Sequence, residues 1–143
     1  MKKVIYSVLM LGTLSFSITS CNKSCDTGYE GSDCKTETRA KFLGSFVGNE
    51  ECIVGNDTYT VTITKSAVNP EVKVILSNVY NQAFTATASV DVYSLTIDNQ
   101  IVATGITVSG AGSLSRDEKF LTMKYSISNG TNFNTCTFSG TKQ

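Results

Sequence analysis

The chain reads as an all-β protein, a small antiparallel barrel of about eight strands behind a disulfide-stapled linker. Two observations carry this expectation. From Lys41 onward apolar residues alternate with polar ones at period two, the pattern of strands with one wet face, and no stretch after Cys21 carries a helical stripe. Cys52 and Cys136 fall in the first and last of these strands. In an up-and-down barrel those two strands are neighbours, so a disulfide between them is geometrically natural, and closure removes the exposed edges. An immunoglobulin-type sandwich instead bridges two inner strands beside a buried tryptophan, and this chain has no tryptophan.

The strands follow one another in order. Phe46 to Ile53 comes first, and Tyr59, Val61 and Ile63 then alternate with Thr60, Thr62 and Thr64. Val72, Val74 and Leu76 follow, then Phe84, Ala86, Ala88 and Val90, and then Tyr93, Leu95 and Ile97. Ile106 and Val108, the row Leu121, Met123, Tyr125 and Ile127, and finally Phe133 to Ser139 complete the set. Between them stand Gly55-Asn56-Asp57, Asn69-Pro70, Asn81-Gln82, Asp98-Asn99, Arg116-Asp117 and Asn129-Gly130, turn chemistry that favours hairpins over helical crossovers. Gly105, Gly110 and Gly112 are expected to mark bends or bulges. Tyr59, Phe84, Tyr93, Met123 and Tyr125 are inward candidates large enough to fill the lumen, while Ala86 and Ala88 leave space on one wall.

Ahead of the barrel the chain divides into residues 1–20, an export segment, and residues 21–40, a linker, with the barrel domain at 41–143. Lys2 and Lys3 form a positive n-region, and Val4 to Ile18 an apolar stretch too short to span a bilayer. Ile18-Thr19-Ser20-Cys21 resembles the lipobox of a bacterial lipoprotein signal peptide. The resemblance implies a diacylglyceryl thioether on Cys21 and acylation of its amine, by palmitate or a similar chain, so that the membrane is a partner through the lipid anchor. With Cys21 set aside, an even four of the five cysteines remain, and in an exported chain that number predicts two disulfides. Of the three pairings, Cys25–Cys34 and Cys52–Cys136 are favoured, one local and one tying the ends of the large domain. A zinc site of four thiolates is the rival, but only Cys25 and Cys34 are close in sequence and their spacing is not that of zinc knuckles.

Residues 25–34 resemble the closing loop of an EGF-like module at Cys25, Gly28, Tyr29, Gly31 and Cys34; the four earlier cysteines and the calcium-binding run of a complete module are missing. Gly28 and Gly31 permit positive-φ turns, so the remnant reads as a stapled spacer, with a recognition loop as the alternative. Phe42-Leu43-Gly44-Ser45-Phe46 resembles the motif that opens lipocalin-like barrels, with the aromatic two positions after Gly44. Phe46 replaces the usual tryptophan, and Lys142 is a poor substitute for the arginine that stacks on it. Together these features resemble small exported lipoproteins of Bacteroidota with a lipocalin-like, calycin-type barrel after a stapled linker. That resemblance implies an outer-membrane address. Asn22-Lys23-Ser24 signals neither inner-membrane retention nor surface export, so the leaflet is open.

Without Lys2 and Lys3 the remainder has ten basic and twelve acidic side chains, a net charge of −2 with no basic cluster, which argues against nucleic acid as partner. Histidine is absent, removing the commonest general base and nitrogen metal ligand. Glu50 and Glu51 point to opposite faces of a strand, so at most one faces inward; Asp117-Glu118 falls in a turn, and Asp91 and Asp98 bracket a strand. None forms a two-carboxylate constellation, and no enzyme, cofactor or metal is expected. The expectation is an anchored binding or interaction module that meets a protein or glycan through threonine-rich strands and loops around Asn78, Asn81, Asn129, Asn132 and Asn134. The alternative is a carrier of a small apolar ligand in the barrel mouth.

Overall fold

The computed structural model describes residues 24–68 and 71–143, so Cys21, the export segment and the Asn69-Pro70 turn lie outside the described residues. The linker is stapled by Cys25–Cys34 and carries a small antiparallel sheet of β1 (Tyr29–Glu30) and β2 (Thr36–Glu37), followed by a 3-10 turn at Thr38–Phe42. Eight strands then close into a barrel: β3 (Gly44–Cys52), β4 (Asn56–Lys65), β5 (Lys73–Val79), β6 (Phe84–Asp91), β7 (Ser94–Ala103), β8 (Ile106–Leu114), β9 (Phe120–Ser128) and β10 (Phe133–Lys142). Each strand pairs antiparallel with the next, and β10 returns to β3 from Cys136↔Cys52 to Lys142↔Phe46. Cys52 and Cys136 are direct cross-strand partners joined as a disulfide. The expected closed, up-and-down, eight-stranded barrel is therefore the architecture, and all four expected cysteines are paired as expected.

The period-two rows face the lumen. Val61, Ile63, Val74, Leu76, Ala86, Ala88, Leu95, Val108, Leu121, Met123 and Phe138 are all buried in one core, while the alternating threonines and serines face outward. Large and small residues sit opposite one another along the wall, as a narrow barrel requires. Gly110 pairs with Tyr125 and Gly112 with Met123. A Cβ on Gly110 would lie 2.5 Å from the Lys124 carbonyl oxygen and from Tyr125 Cβ. These two glycines are therefore close-approach positions rather than the expected bulges. The β8–β9 register runs through them without a shift, and the irregularities on that side fall on β7, between Ile97 and Gln100 and between Ile101 and Ala103. Gly105, at φ +71°, supplies the β7–β8 turn.

The two ends of the barrel differ. At the end where β3 begins, the 3-10 turn lies against the strand ends and buries Phe42 completely. Arg39 donates through Nη1 to the Ser66 and Lys73 carbonyls, Lys41 Nζ lies 4.4 Å from the centroid of the Tyr93 ring, and Lys142 Nζ donates to the Lys41 carbonyl at 2.7 Å. Lys142 also lies over the ring of the buried Phe46, 5.7 Å from its centroid. It thus occupies the place for which the sequence made it a poor substitute, and its stem runs 3.0 Å from where a Cβ on Gly44 (φ +131°) would be. The 3-10 turn bridges residues 40 and 41, so Arg39 belongs to the cap of the barrel as much as to the linker. The opposite end, ringed by the β3–β4, β5–β6, β7–β8 and β9–β10 turns, has no such cap among the described residues.

Two outcomes follow. Replacing Cys52 and Cys136 together by alanine should leave a closed barrel, held by the β3–β10 ladder, but lower its stability by about 2–5 kcal/mol in denaturant titration, because the bridge spans 84 residues of chain. Gly110→Ala should cost about 1–3 kcal/mol in the same titration, since the neighbour it meets includes backbone; a neutral result would mean that β8 and β9 separate freely.

Candidate functional site

The uncapped end is built around a buried acid. Along β3 the inward row is Phe46, Gly48, Glu50 and Cys52, and the same alternation that buries Phe46 places Glu50 inside and leaves Glu51 exposed. Glu50 is 3% exposed. Its Oε1 accepts the hydroxyl of Tyr59, on β4, at 2.5 Å and the hydroxyl of Tyr125, on β9. The two phenol oxygens are 3.3 Å apart, and Tyr59 Oη also accepts the backbone N–H of Tyr80 at 3.2 Å. Burial, reinforced by the Glu50 carboxylate, pushes both phenols well above the ordinary tyrosine value, so they stay protonated donors.

No salt bridge among the described residues reaches Glu50. Burying a carboxylate without hydrogen bonds or a counter-charge is expensive, and here two hydroxyls on one oxygen supply the hydrogen bonds while the counter-charge is missing. The other oxygen, Oε2, accepts no hydrogen bond among the described residues; since no described side-chain polar atom is both fully buried and unpaired, Oε2 retains access to solvent. Glu50 lines a small cleft of about 200 Å³ with Val54, Asp57, Tyr80 and Gln82.

Beside it opens a second cleft of about 370 Å³, whose apolar wall is Phe84, Ile106, Ile127 and Phe133 and whose rim carries Asn129, Asn132 and Asn134. Val54, Tyr80 and Gln82 line both clefts. Tyr80 is held at its two ends, by its N–H to Tyr59 and by its hydroxyl, which accepts Asn134 Nδ2 at 3.1 Å. Its backbone sits at φ +61°, beside Asn81 at +46° and two residues after Asn78 at +65°, a left-handed conformation that costs free energy in a tyrosine and is held by its surroundings. Asn78 caps its own bulge in β5 by donating Nδ2 to the Thr60 carbonyl at 2.9 Å. Asn134 bonds both the N–H and the carbonyl of Val54, closing the mouth on the side of the disulfide.

The residues singled out in the sequence separate into distinct places. Phe42, Gly44 and Phe46 belong to the capped end, and Gly28 and Gly31, at φ +92° and +89°, shape the linker loop in which Tyr29 pairs with Glu37. Tyr93 lies in the β6–β7 turn beneath Lys41 rather than in the lumen wall. Glu50 carboxylate oxygen and the sulfurs of Cys52 and Cys136 lie within 4.8 Å of one another, but the sulfurs are bonded to each other and offer no thiolate to a metal. Reading the sequence alone missed Tyr80, and it left Glu50 and Glu51 as alternatives. Parity with Phe46 and Cys52 was the available signal for Glu50, and parity with Cys136 and Phe138 that for Asn134.

Fold and site together define a closed eight-stranded antiparallel barrel, capped at one end, with a carboxylate buried beneath an amide-rimmed mouth at the other. Compared with known proteins, the chain matches no family model and no curated protein.

Tyr125→Phe removes one of the two donors to Glu50 and should lower stability by about 1–3 kcal/mol in denaturant titration. An unchanged midpoint would mean that the carboxylate does not depend on that hydroxyl.

Proposed function

We propose that this chain is a non-catalytic binding module of the cell envelope, anchored in the outer membrane by a lipid on Cys21 and meeting a protein or glycan partner at the barrel mouth. The observation that carries the reading is the end at which the linker joins the barrel. Lys41 pairs with Glu30 at 2.6 Å, Gly28 backs onto Glu71 and Val72, and the 3-10 turn covers the strand ends, so the stapled linker is packed against the capped end. An anchor at the head of that linker leaves the mouth facing away from the bilayer. Two acyl chains give attachment that does not reverse on a biological timescale. The tight linker loop suits a spacer better than a recognition element, because Gly28 and its neighbours are applied to the barrel.

The packed lumen supports a surface reader over a carrier that swallows its ligand, since the interior rows are filled by their own side chains. Exposed Ile53, Val54 and Phe133 at the mouth, each about 70% accessible, supply the apolar contact area that partners use, beside asparagines that supply hydrogen bonds. The mouth cleft keeps a carrier of a small apolar ligand as a second reading.

Expressed with its own leader in a bacterial host, the chain should incorporate a fatty-acid label and fractionate with outer membranes, and Cys21→Ala should lose both properties. A mutant still lipidated would refute the anchor. Cross-linking on whole cells should recover a partner through the mouth, and the double substitution of Ile53 and Phe133 by serine should abolish recovery while substitution of Val68 and Val92 at the capped end should not.

A further inference from the structure

The distribution of charge along the barrel points to the kind of molecule the mouth takes. No lysine or arginine occurs in residues 42–64, 74–115 or 125–141, the stretches that contain every turn and strand end of the mouth. The barrel's cations are instead at the capped end, apart from Lys124, which lies on the outer face of β9. Glu50, Glu51 and Asp57 all belong to the mouth half, and Glu50 and Asp57 are direct cross-strand partners. Glu50 is the buried member of this group. Glu50 Oε1 is saturated by two tyrosine hydroxyls, whereas Oε2 accepts no hydrogen bond among the described residues, and Glu50 lines the cleft that shares Val54, Tyr80 and Gln82 with the apolar one.

A buried carboxylate held rigidly by two donors, lacking any protein cation and open on one oxygen, is a preorganised acceptor for a positive charge. The walls next to it choose what carries that charge. Phe84, Ile106 and Ile127 offer apolar surface, and Tyr80 lines both that cleft and the one at the acid. We propose that the mouth binds a small organic ammonium ion with an apolar body, its N–H group on Glu50 Oε2 and its body against Phe84, Ile106 and Ile127. The inference rests on the mouth being the binding end, but not on the identity of a macromolecular partner.

Titration of the full-length protein in detergent with 2-phenylethylammonium, 2-phenylethanol and calcium chloride, followed by NMR shifts and calorimetry, tests it. The ammonium ion should bind about tenfold or more tightly than the alcohol, with shifts at Glu50, Tyr80 and Ile127. Glu50→Gln should remove that preference. Equal binding of amine and alcohol would overturn the proposal, as would an amine preference that survives Glu50→Gln, saturable calcium binding at Glu50 without amine binding, or no binding of any probe at millimolar concentration. The comparison of amine with alcohol on the unmutated chain needs no variant, so a poorly folded Glu50→Gln leaves the test intact. Partner recovery through Ile53 and Phe133 on cells, if it persists while the amine fails to bind, overturns this inference and leaves the binding-module reading standing.

Discussion

The ladder between β3 and β10 is the constraint on which the rest of the molecule depends. An open sheet of these strands would leave two long edges and an apolar face in water, and pairing the last strand with the first removes both at once. Once the sheet is closed, its diameter is set by strand number, and the interior has room for one layer of side chains from each wall. That forces the complementarity seen across β8 and β9, where glycine stands opposite Tyr125 and Met123. It also brings Tyr125 of β9 to the level of Glu50 of β3 and Tyr59 of β4 in the lumen, although Tyr125 lies 75 residues from Glu50 in sequence. The disulfide sits at the mouth end of the same ladder, where the hairpin turns would otherwise let it fray.

Much of this was legible because it is local or because it is parity. The alternation of Tyr59, Val61 and Ile63 with threonines needs no tertiary information, and the same rule extended along each strand gives the lumen rows. The Cys52–Cys136 pairing was legible because position in strand order, rather than sequence distance, decides who neighbours whom in a barrel. The glycines of β8 were misread for a physical reason. A glycine that permits a bulge and a glycine that makes room for a cross-strand tyrosine look alike until the register is known. Tyr80 escaped notice because its conformation is imposed by Tyr59 and Asn134, both distant in sequence, against the preference of its own backbone. The small β1–β2 sheet was missed because two-residue strands carry no periodicity.

The site owes its character to a division of labour between the two ends. At the capped end Arg39, Lys41 and Lys142 give their donors to backbone carbonyls of the barrel and its cap and to the linker carboxylates Glu30 and Glu37, so these cations are structural. At the mouth the hydrogen-bonding groups are amides and phenols, which bind one another and leave the acid without an internal cation. The polar network inside the mouth also fixes the rims on either side of Tyr80.

The uneven placement of charge has an orienting effect. Acidic and basic groups are interleaved in the linker and at the capped end, as in the Arg39–Glu37, Lys65–Glu37 and Lys41–Glu30 pairs, while the mouth half holds acids with almost no bases. The surplus negative charge is therefore concentrated at one pole of the barrel axis, and the molecule has an electric moment along that axis. Near an anionic surface such a moment exerts a torque that turns the mouth outward, and beyond a Debye length of about 8 Å the torque fades. On the proposed anchoring, that field would add to the packing of the linker against the capped end in holding the barrel upright on its tether.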